Sequence, residues 1–260
     1  MISKRIQKEI RQLANKKFRD AEGLFLAEGS KCVPELLGAF SCRTVVATPD
    51  WLLENSCLLP SGVDILEVSH DELQRVSLQQ HPQEVLAIFR QPVVRPAPLA
   101  GKDDLILALD GVQDPGNLGT ILRIADWYGI RHLVCSSDCA DPYSPKVVQA
   151  TMGSLARVMV HREDLPSWLR SQPATVPIYG TTLQGTNMHE TRIHRHGIIV
   201  MGNEGRGLSP TVRSCLTKEL FIPRYPLDNG NPESLNVAIA TGIVCAFFRH
   251  GSVILDSRFC

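Results

Sequence analysis

"LILALDGVQDPGNLGTILRIADWYGI", residues 105 to 130, runs from an unbroken apolar stretch through a polar, glycine-punctuated turn into a helical pattern. Continuous apolar strands are what a parallel sheet needs when both of its faces are covered. The pattern recurs, with strands expected at 105–110, 132–135, 157–160, 177–182, 197–202 and 220–223 and helices near 117–128, 145–152, 164–171, 209–216 and 232–249. This alternation predicts an α/β fold built on a mostly parallel sheet. Asn117 reads as the cap of the first of these helices and Gly129 as the residue that ends it. Arg123, between Leu122 and Ile124, either snorkels to solvent or reaches a carboxylate or phosphate.

Upstream, from Gly23 to Arg90, shorter units alternate in the same way: "LFLAEG", "TVVA", "DILEVS" and "EVLAIFR" read as strands with helices between them. They predict a small α/β domain over residues 1–95. "QPVVRPAPLAGKDD" has linker composition, which places a linker at 96–103 and a second domain at 104–260. A basic amphipathic helix is expected over residues 2–19. Lys4, Arg5, Lys8, Arg11, Lys16, Lys17 and Arg19 crowd its polar face, which is either a solvated surface or a phosphate-contacting arm.

The 27 basic and 27 acidic residues cancel, so a nucleic-acid partner must be met by a local patch. Eight scattered cysteines form neither a disulfide framework nor a metal-ligand pattern, and no metal is expected. The N-terminus lacks a signal-peptide apolar core, and the longest apolar run falls short of the ~20 residues of a membrane span. A reduced, soluble, cytoplasmic protein without a membrane partner is expected.

Three polar islands follow the carboxyl ends of the first, fifth and sixth strands of the second domain: "DGVQDPGN", "GNEGRGLS" and "RYPLDNGNPESLN". In open α/β sheets that edge binds ligands. The second island spaces its glycines G-x-x-G-x-G and carries Glu204, a resident anion that a pyrophosphate cradle would avoid. With no G-x-G-x-x-G after a strand, a nicotinamide-dependent oxidoreductase is disfavoured. Glu204 either suits a cationic or donor-rich ligand, such as a sulfonium, or is a solvated turn residue. In the third island Asn231 and Pro232 read as the start of a buried helix. Ser234 and Asn236 would then lie in its first turn, either satisfying backbone N–H groups or serving a ligand.

Together the islands resemble the motifs of the SpoU/TrmH family of RNA ribose 2′-O-methyltransferases, within the SPOUT superfamily. "NLGTILR" (117–123) is similar to the first motif, "VMGNEGRGLS" (200–209) to the second and "IPRYPLDNGNPESLNVAIA" (222–240) to the third. "FRDAEGLFLAEGSKCVPELL" and "HPQEVLAIF" resemble the substrate-binding domain that precedes many members. The resemblance implies a C-terminal SPOUT domain with a trefoil knot, S-adenosylmethionine as cofactor, RNA as substrate and a homodimer. It implies catalytic roles for Asn117, Arg123, Glu204, Ser234 and Asn236, and a cofactor pocket lined by Gly202, Ile222 and Leu235 with Thr181. The basic residues of the opening helix would contact RNA. Ribosomal RNA is favoured over transfer RNA. The link over 223–233 is longer than the family's compact form, so Arg224, Asp228 and Asn229 carry no assignment.

No histidine falls inside a motif, and a guanidinium holds its proton too firmly to be a ready base. Arg123 is therefore expected to anchor the target phosphate and stabilise the developing alkoxide, while Glu204, Ser234 and Asn236 orient the ribose. The alternative is an RNA-binding or ribosome-assembly protein that keeps the fold without catalysis.

Overall fold

The computed structural model describes residues 2–93, 95–225 and 234–250. By packing they divide into two compact units, residues 1–94 with 141–157 and residues 95–140 with 158–260. Chain order assigned the segment 141–157 to the second domain; in the structure it packs with residues 1–94.

In the first unit the opening helix expected over residues 2–19 is two helices, α1 (Lys4–Gln12) and α2 (Lys16–Glu22). Asn15 causes the break: its backbone is extended and its side chain accepts the Lys17 N–H, capping α2. Ile10 and Leu13 are buried, while Lys4, Arg5, Lys8, Arg11, Lys16 and Lys17 are exposed. Arg19 departs from the expectation. Its side chain is 3% exposed, it donates to the carbonyls of Leu13 and Ala14 at 2.7 and 2.9 Å, and it pairs with Asp141 at 2.5 Å. A guanidinium committed to closing the turn between two helices is not available as an RNA contact.

Strands β1 (Leu24–Glu28), β2 (Cys42–Ala47), β3 (Asp64–Glu67) and β4 (Val85–Arg90) form a sheet in the order β1-β4-β2-β3. Helices α3 (Cys32–Leu37), α4 (Pro49–Glu54) and α5 (His70–Val76) alternate with them. Leu24, Leu26, Val46, Leu86 and Ile88 pack against Ile10 and Leu13 of the opening segment and Leu73 and Val76 of α5.

The second unit contains β5 (Leu105–Asp110), α6 (Pro115–Trp127) and β6 (His132–Cys135). After α7 (Pro145–Thr151), which belongs to the first unit, it continues with β7 (Met159–Arg162), α8 (Leu165–Arg170), β8 (Ile178–Asn187) and β9 (Gly197–Gly202). It ends with α9 (Pro210–Arg213), β10 (Lys218–Phe221) and α10 (Val237–His250). The sheet order is β10-β8-β9-β5-β6-β7 and every neighbouring pair is parallel. β5 and β9 pair residue for residue from Leu105 with Gly197 to Asp110 with Gly202, so the first two polar islands emerge side by side. Ile106, Ala108, Val134, Ile178, Ile198 and Val200 build the core with Trp168 and Leu169 of α8 and Val212 of α9.

Two helix starts differ from the sequence reading, each for a local reason, while the end of α6 at Gly129 is as expected. Asp114, not Asn117, caps α6 by accepting the Asn117 N–H at 2.8 Å, with Pro115 in the first helical position. Asn117 thus sits one turn inside and its side chain is released from capping. α6 closes with Gly129 left-handed at φ 65° and the Ile130 N–H bonded to the Ala125 carbonyl at 2.8 Å, as a Schellman ending requires. α10 starts at Val237, because the Asn236 side-chain oxygen accepts the N–H groups of Ala238 and Ile239 at 3.0 and 3.3 Å. Ser234 and Leu235 are non-helical, and Asn231 and Pro232 lie outside the described residues. Nor is α10 buried all round: Ile239 and Ile243 are 58% and 37% exposed.

β8 is longer than expected, and its pairing with β10 jumps from Gly180–Glu219 to Thr186–Leu220. Residues 181–185 leave the ladder between these points. Thr182 donates to Glu219 at 2.9 Å, and Arg213 pairs with Glu219 through two 2.7 Å contacts, which hold that carboxyl below its ordinary range. Among the described residues no helix is long and apolar enough to cross a membrane, and no metal-ligand cluster occurs.

Removing one partner of a buried ion pair costs about 3–5 kcal/mol, because the other charge is left uncompensated. Arg19→Met is therefore expected to lower the stability of the protein to urea by an amount of that order, while Lys16→Met, in an exposed pair with Asp20, is expected to leave it nearly unchanged.

Candidate active site

Three predicted residues from the three islands meet. Asn117 stands in the first turn of α6, Glu204 in the turn after β9 and Asn236 at the head of α10. Asn236 donates through Nδ2 to Asn117 Oδ1 at 2.9 Å, and Asn117 donates through Nδ2 to Glu204 Oε1. The direction of this chain is set from its far end. Because Asn236 Oδ1 is occupied by the backbone N–H groups of α10, its amide nitrogen must face Asn117. Asn117 must then turn its own nitrogen to Glu204, whose second oxygen has no hydrogen-bond partner among the described residues.

The turn carrying Glu204 is closed by Asn203 and Gly207, whose backbones exchange hydrogen bonds at 3.0 and 2.9 Å. The Asn203 side chain accepts from the N–H groups of Gly205 and Arg206 at 3.0 and 3.1 Å and donates to the Gly111 carbonyl at 2.8 Å. On the other side, Gly111 N–H donates to Ser136 Oγ at 2.9 Å and Ser136 donates to Asp138 at 2.6 Å. Asp110 accepts the Ser209 N–H at 2.6 Å. Gly202 approaches this turn so closely that a Cβ on it would lie 2.5 Å from the Gly207 carbonyl carbon. Below the loop, its neighbour Cys139 and burial push the Cys135 thiol up, while the contact with Cys135 holds the Cys139 thiol down, at about 7.

Asn203, Asp110 and Ser136 were not anticipated as site residues. Asn203 lies inside the second island, beside the charged Glu204 that carries the more conspicuous chemistry. Ser136 belongs to "SSD" after β6, a polar segment at the same sheet edge that lacks the glycines marking the other three.

Other predicted residues are not drawn into the cluster by hydrogen bonds. Arg123 is exposed on the α6 stripe that includes Thr120 and Trp127, and no partner for it occurs among the described residues. Ser234 is exposed, and Leu235 beside it is 49% exposed. Ile222, just past β10, is half-buried, and Thr181 lies where β8 leaves the ladder, its hydroxyl 3.5 Å from Met201 Sδ. On the first unit a groove of about 680 Å³ runs beside α1, lined by Arg5, Lys8, Gln12, Phe18, Arg43 and Ile65 among others.

The site fits a compact organic cation better than a polyphosphate. Its charged acceptor is held by the Asn117 amide, its glycine turn commits two of its N–H groups to Asn203, and the apolar Ile222 and Leu235, before and within the third island, are partly exposed. Residues 104–246 match the SpoU rRNA Methylase family, and residues 4–87 match the MRM3-like substrate binding domain. The chain belongs to the SpoU rRNA methylase family. A Bacillus subtilis relative, the 23S rRNA (guanosine(2553)-2′-O)-methyltransferase RlmP, is 32% identical over 248 residues, covering 93% of this chain and 95% of its own. A TrmH-family protein from Porphyromonas gingivalis superposes with a TM-score of 0.87 at 40% identity, over 97% of this chain and all of the other. The AdoMet-bound rRNA methyltransferase from Sinorhizobium meliloti gives 0.82 at 32% identity, over 98% and 97% of the two chains. The mostly parallel α/β fold expected of a SpoU methylase is thus the one found.

Hydrogen bonds to charged groups contribute about 1.5–3 kcal/mol. Asn117→Ala removes the group that joins Asn236 to Glu204, and kcat for methyl transfer is expected to fall by roughly 10- to 100-fold. Single-turnover assays with saturating RNA would show it, with the RNA KM little changed.

Proposed function

We propose that this SpoU-family enzyme transfers the methyl group of S-adenosylmethionine to a ribose 2′-hydroxyl of large-subunit ribosomal RNA, as a homodimer. The observation that carries the reading is the Asn236–Asn117–Glu204 chain, which joins all three islands at the carboxyl edge of the sheet. The ribosomal assignment rests on relatives named as 23S rRNA methyltransferases, RlmP among them and the Coxiella burnetii RlmB at 32% identity over 195 residues.

Gly202, Ile222 and Leu235, with Thr181, would hold the cofactor, the first through its backbone. When bound, it supplies a methyl on a sulfonium, already a strong electrophile, so the protein's task is positioning, which can contribute ~7–11 kcal/mol. Glu204 accepts a hydrogen bond from the sugar with the oxygen that Asn117 leaves open. Ser234 and Asn236 fix the ribose from the head of α10, and Arg123 binds the phosphate and steadies the 2′-oxygen as its proton passes to solvent water and the cofactor leaves as the neutral thioether. The trefoil knot is part of the same proposal. Residues 226–233, which the third motif spans, lie outside the described residues.

The homodimer answers a difficulty within one chain, where Arg123 stands exposed and outside the hydrogen-bonded cluster. Trp127, Ile239 and Ile243 are 84%, 58% and 37% exposed on α6 and α10, two helices that pack together. A second copy covering that face would bring its own Arg123 to this site. On the first unit, Lys4, Arg5, Lys8, Arg11, Lys16 and Lys17 contact RNA phosphates through their exposed ammonium and guanidinium groups.

The deciding experiment is transfer of labelled methyl from S-adenosylmethionine to ribosomal RNA, followed by mapping of ribose methylation. A wild-type protein that binds neither the cofactor nor RNA would overturn the reading. Arg123→Lys keeps the charge but loses the planar fork, and its turnover is expected to drop at least tenfold. Ile239→Asp should convert a dimer to a monomer by light scattering and abolish transfer. Replacing Lys4 and Lys8 together with Ala should lower the slope of log affinity against log salt by about 1–2, roughly one for each phosphate no longer neutralised.

A further inference from the structure

We infer that Asn203 is a positioning residue for the methyl transfer, acting through Glu204. The inference rests on the function proposed above. Asn203 ties the start of the second island to Gly111 of the first, as Asp110 ties its end through the Ser209 N–H at 2.6 Å. Its Nδ2 donates to the Gly111 carbonyl at 2.8 Å, and its Oδ1 accepts from the N–H groups of Gly205 and Arg206, the two residues that follow Glu204. Its own backbone closes the turn against Gly207.

These contacts use each end of the amide for a different loop. The peptide groups of Gly111 are held on both sides, its N–H by Ser136 and its carbonyl by Asn203. Gly111 is itself committed to φ 70°, and a Cβ there would lie 3.0 Å from Asp138 Oδ2, so this loop has little freedom to follow a moving partner. It is the rigid reference. Asn203 refers the Glu204 turn to it, and only then does the carboxylate reach Asn117. The other contacts act elsewhere on the loop: Asp110 holds Ser209 at its far end, Glu204 makes its contact to α6, and Arg206 lies 3.7 Å from Asp138 with its side chain largely exposed.

The carboxamide is required because the site needs a donor and an acceptor on one short side chain. An aspartate keeps the acceptor for Gly205 and Arg206 but, when ionised, sets a negative oxygen against the Gly111 carbonyl. Asn203→Asp therefore keeps the contacts within the turn and turns the contact with the first island into a repulsion.

The experiment measures kcat and RNA KM for wild type, Asn203→Ala, Asn203→Asp, Glu204→Ala and the two double variants. Asn203→Ala is expected to lower kcat by at least about tenfold with RNA KM within about twofold. In the Glu204→Ala background the same change should cost less than about twofold, because the residue it serves is gone. Asn203→Asp is expected to lower kcat by a similar factor, and it too should cost less than about twofold in the Glu204→Ala background. Additive effects in the double variants overturn the assignment. If Asn203→Ala does not fold, the cycle of Asn203→Asp with Glu204→Ala decides alone. Calorimetric binding of S-adenosylmethionine separates the two levels: with binding intact in wild type, additive effects overturn the role of Asn203 only, whereas a wild type that does not bind overturns the function and this role together.

Discussion

The parallel pairing of β5 with β9 is the constraint on which the site depends. Their register runs without a shift from Leu105–Gly197 to Asp110–Gly202, so two loops remote from each other in the chain start from the same level of the sheet. Both strands are buried along nearly their whole length, and slipping such a pair by one residue would exchange the side chains packed on its two covered faces and draw an end residue into the core. Hydrophobic burial thereby fixes the height at which Asp110 and Gly202 end. The polar contacts that follow, Asn203 to Gly111 and Asp110 to Ser209, refine a placement already made by the core.

On that base the chemistry is organised by directionality. A carboxamide carries a donor and an acceptor that look alike in outline but cannot be exchanged once one end is committed. The head of α10 commits Asn236, Asn236 commits Asn117, and Asn117 commits one oxygen of Glu204. A helix terminus, with its unsatisfied N–H groups, thus decides which way an amide on a different helix points. The same use of both ends appears at Asn203, where one side chain serves two loops. One residue from each of the three polar islands is joined into a single chain, with Asn117 in the middle.

The first unit uses its charge in two ways that sequence could not separate. Lys4, Arg5, Lys8, Arg11, Lys16 and Lys17 stay at the surface, but Arg19, equally basic and close to Lys17 in the chain, is buried against Asp141. Asp141 is far away in sequence. Helical spacing predicts which face a side chain occupies; it does not predict a distant carboxylate that makes burial of a cation tolerable. The split of the opening helix at Asn15 was, by contrast, a local event, since Asn is a strong cap and a poor helix interior residue.

Sequence alone determined the strands, the order of the polar islands and the identity of the residues in them, because apolar runs, capping residues and glycines are local signals with local causes. Asn117, Glu204 and Asn236 were legible for that reason, and the motif resemblance added the expectation that they act together. Their hydrogen bonds were decided by tertiary structure: Asp114 took over the cap that Asn117 was expected to provide, and Asn236 became the cap of a helix that begins later than its Pro signalled. Ser136 and Asn203 entered the site only when β6, β5 and β9 came to lie side by side. The physical reason is that a side chain's chemistry is written in its own position, whereas the partner that orients it is chosen by the register of a sheet whose neighbours are remote in the chain.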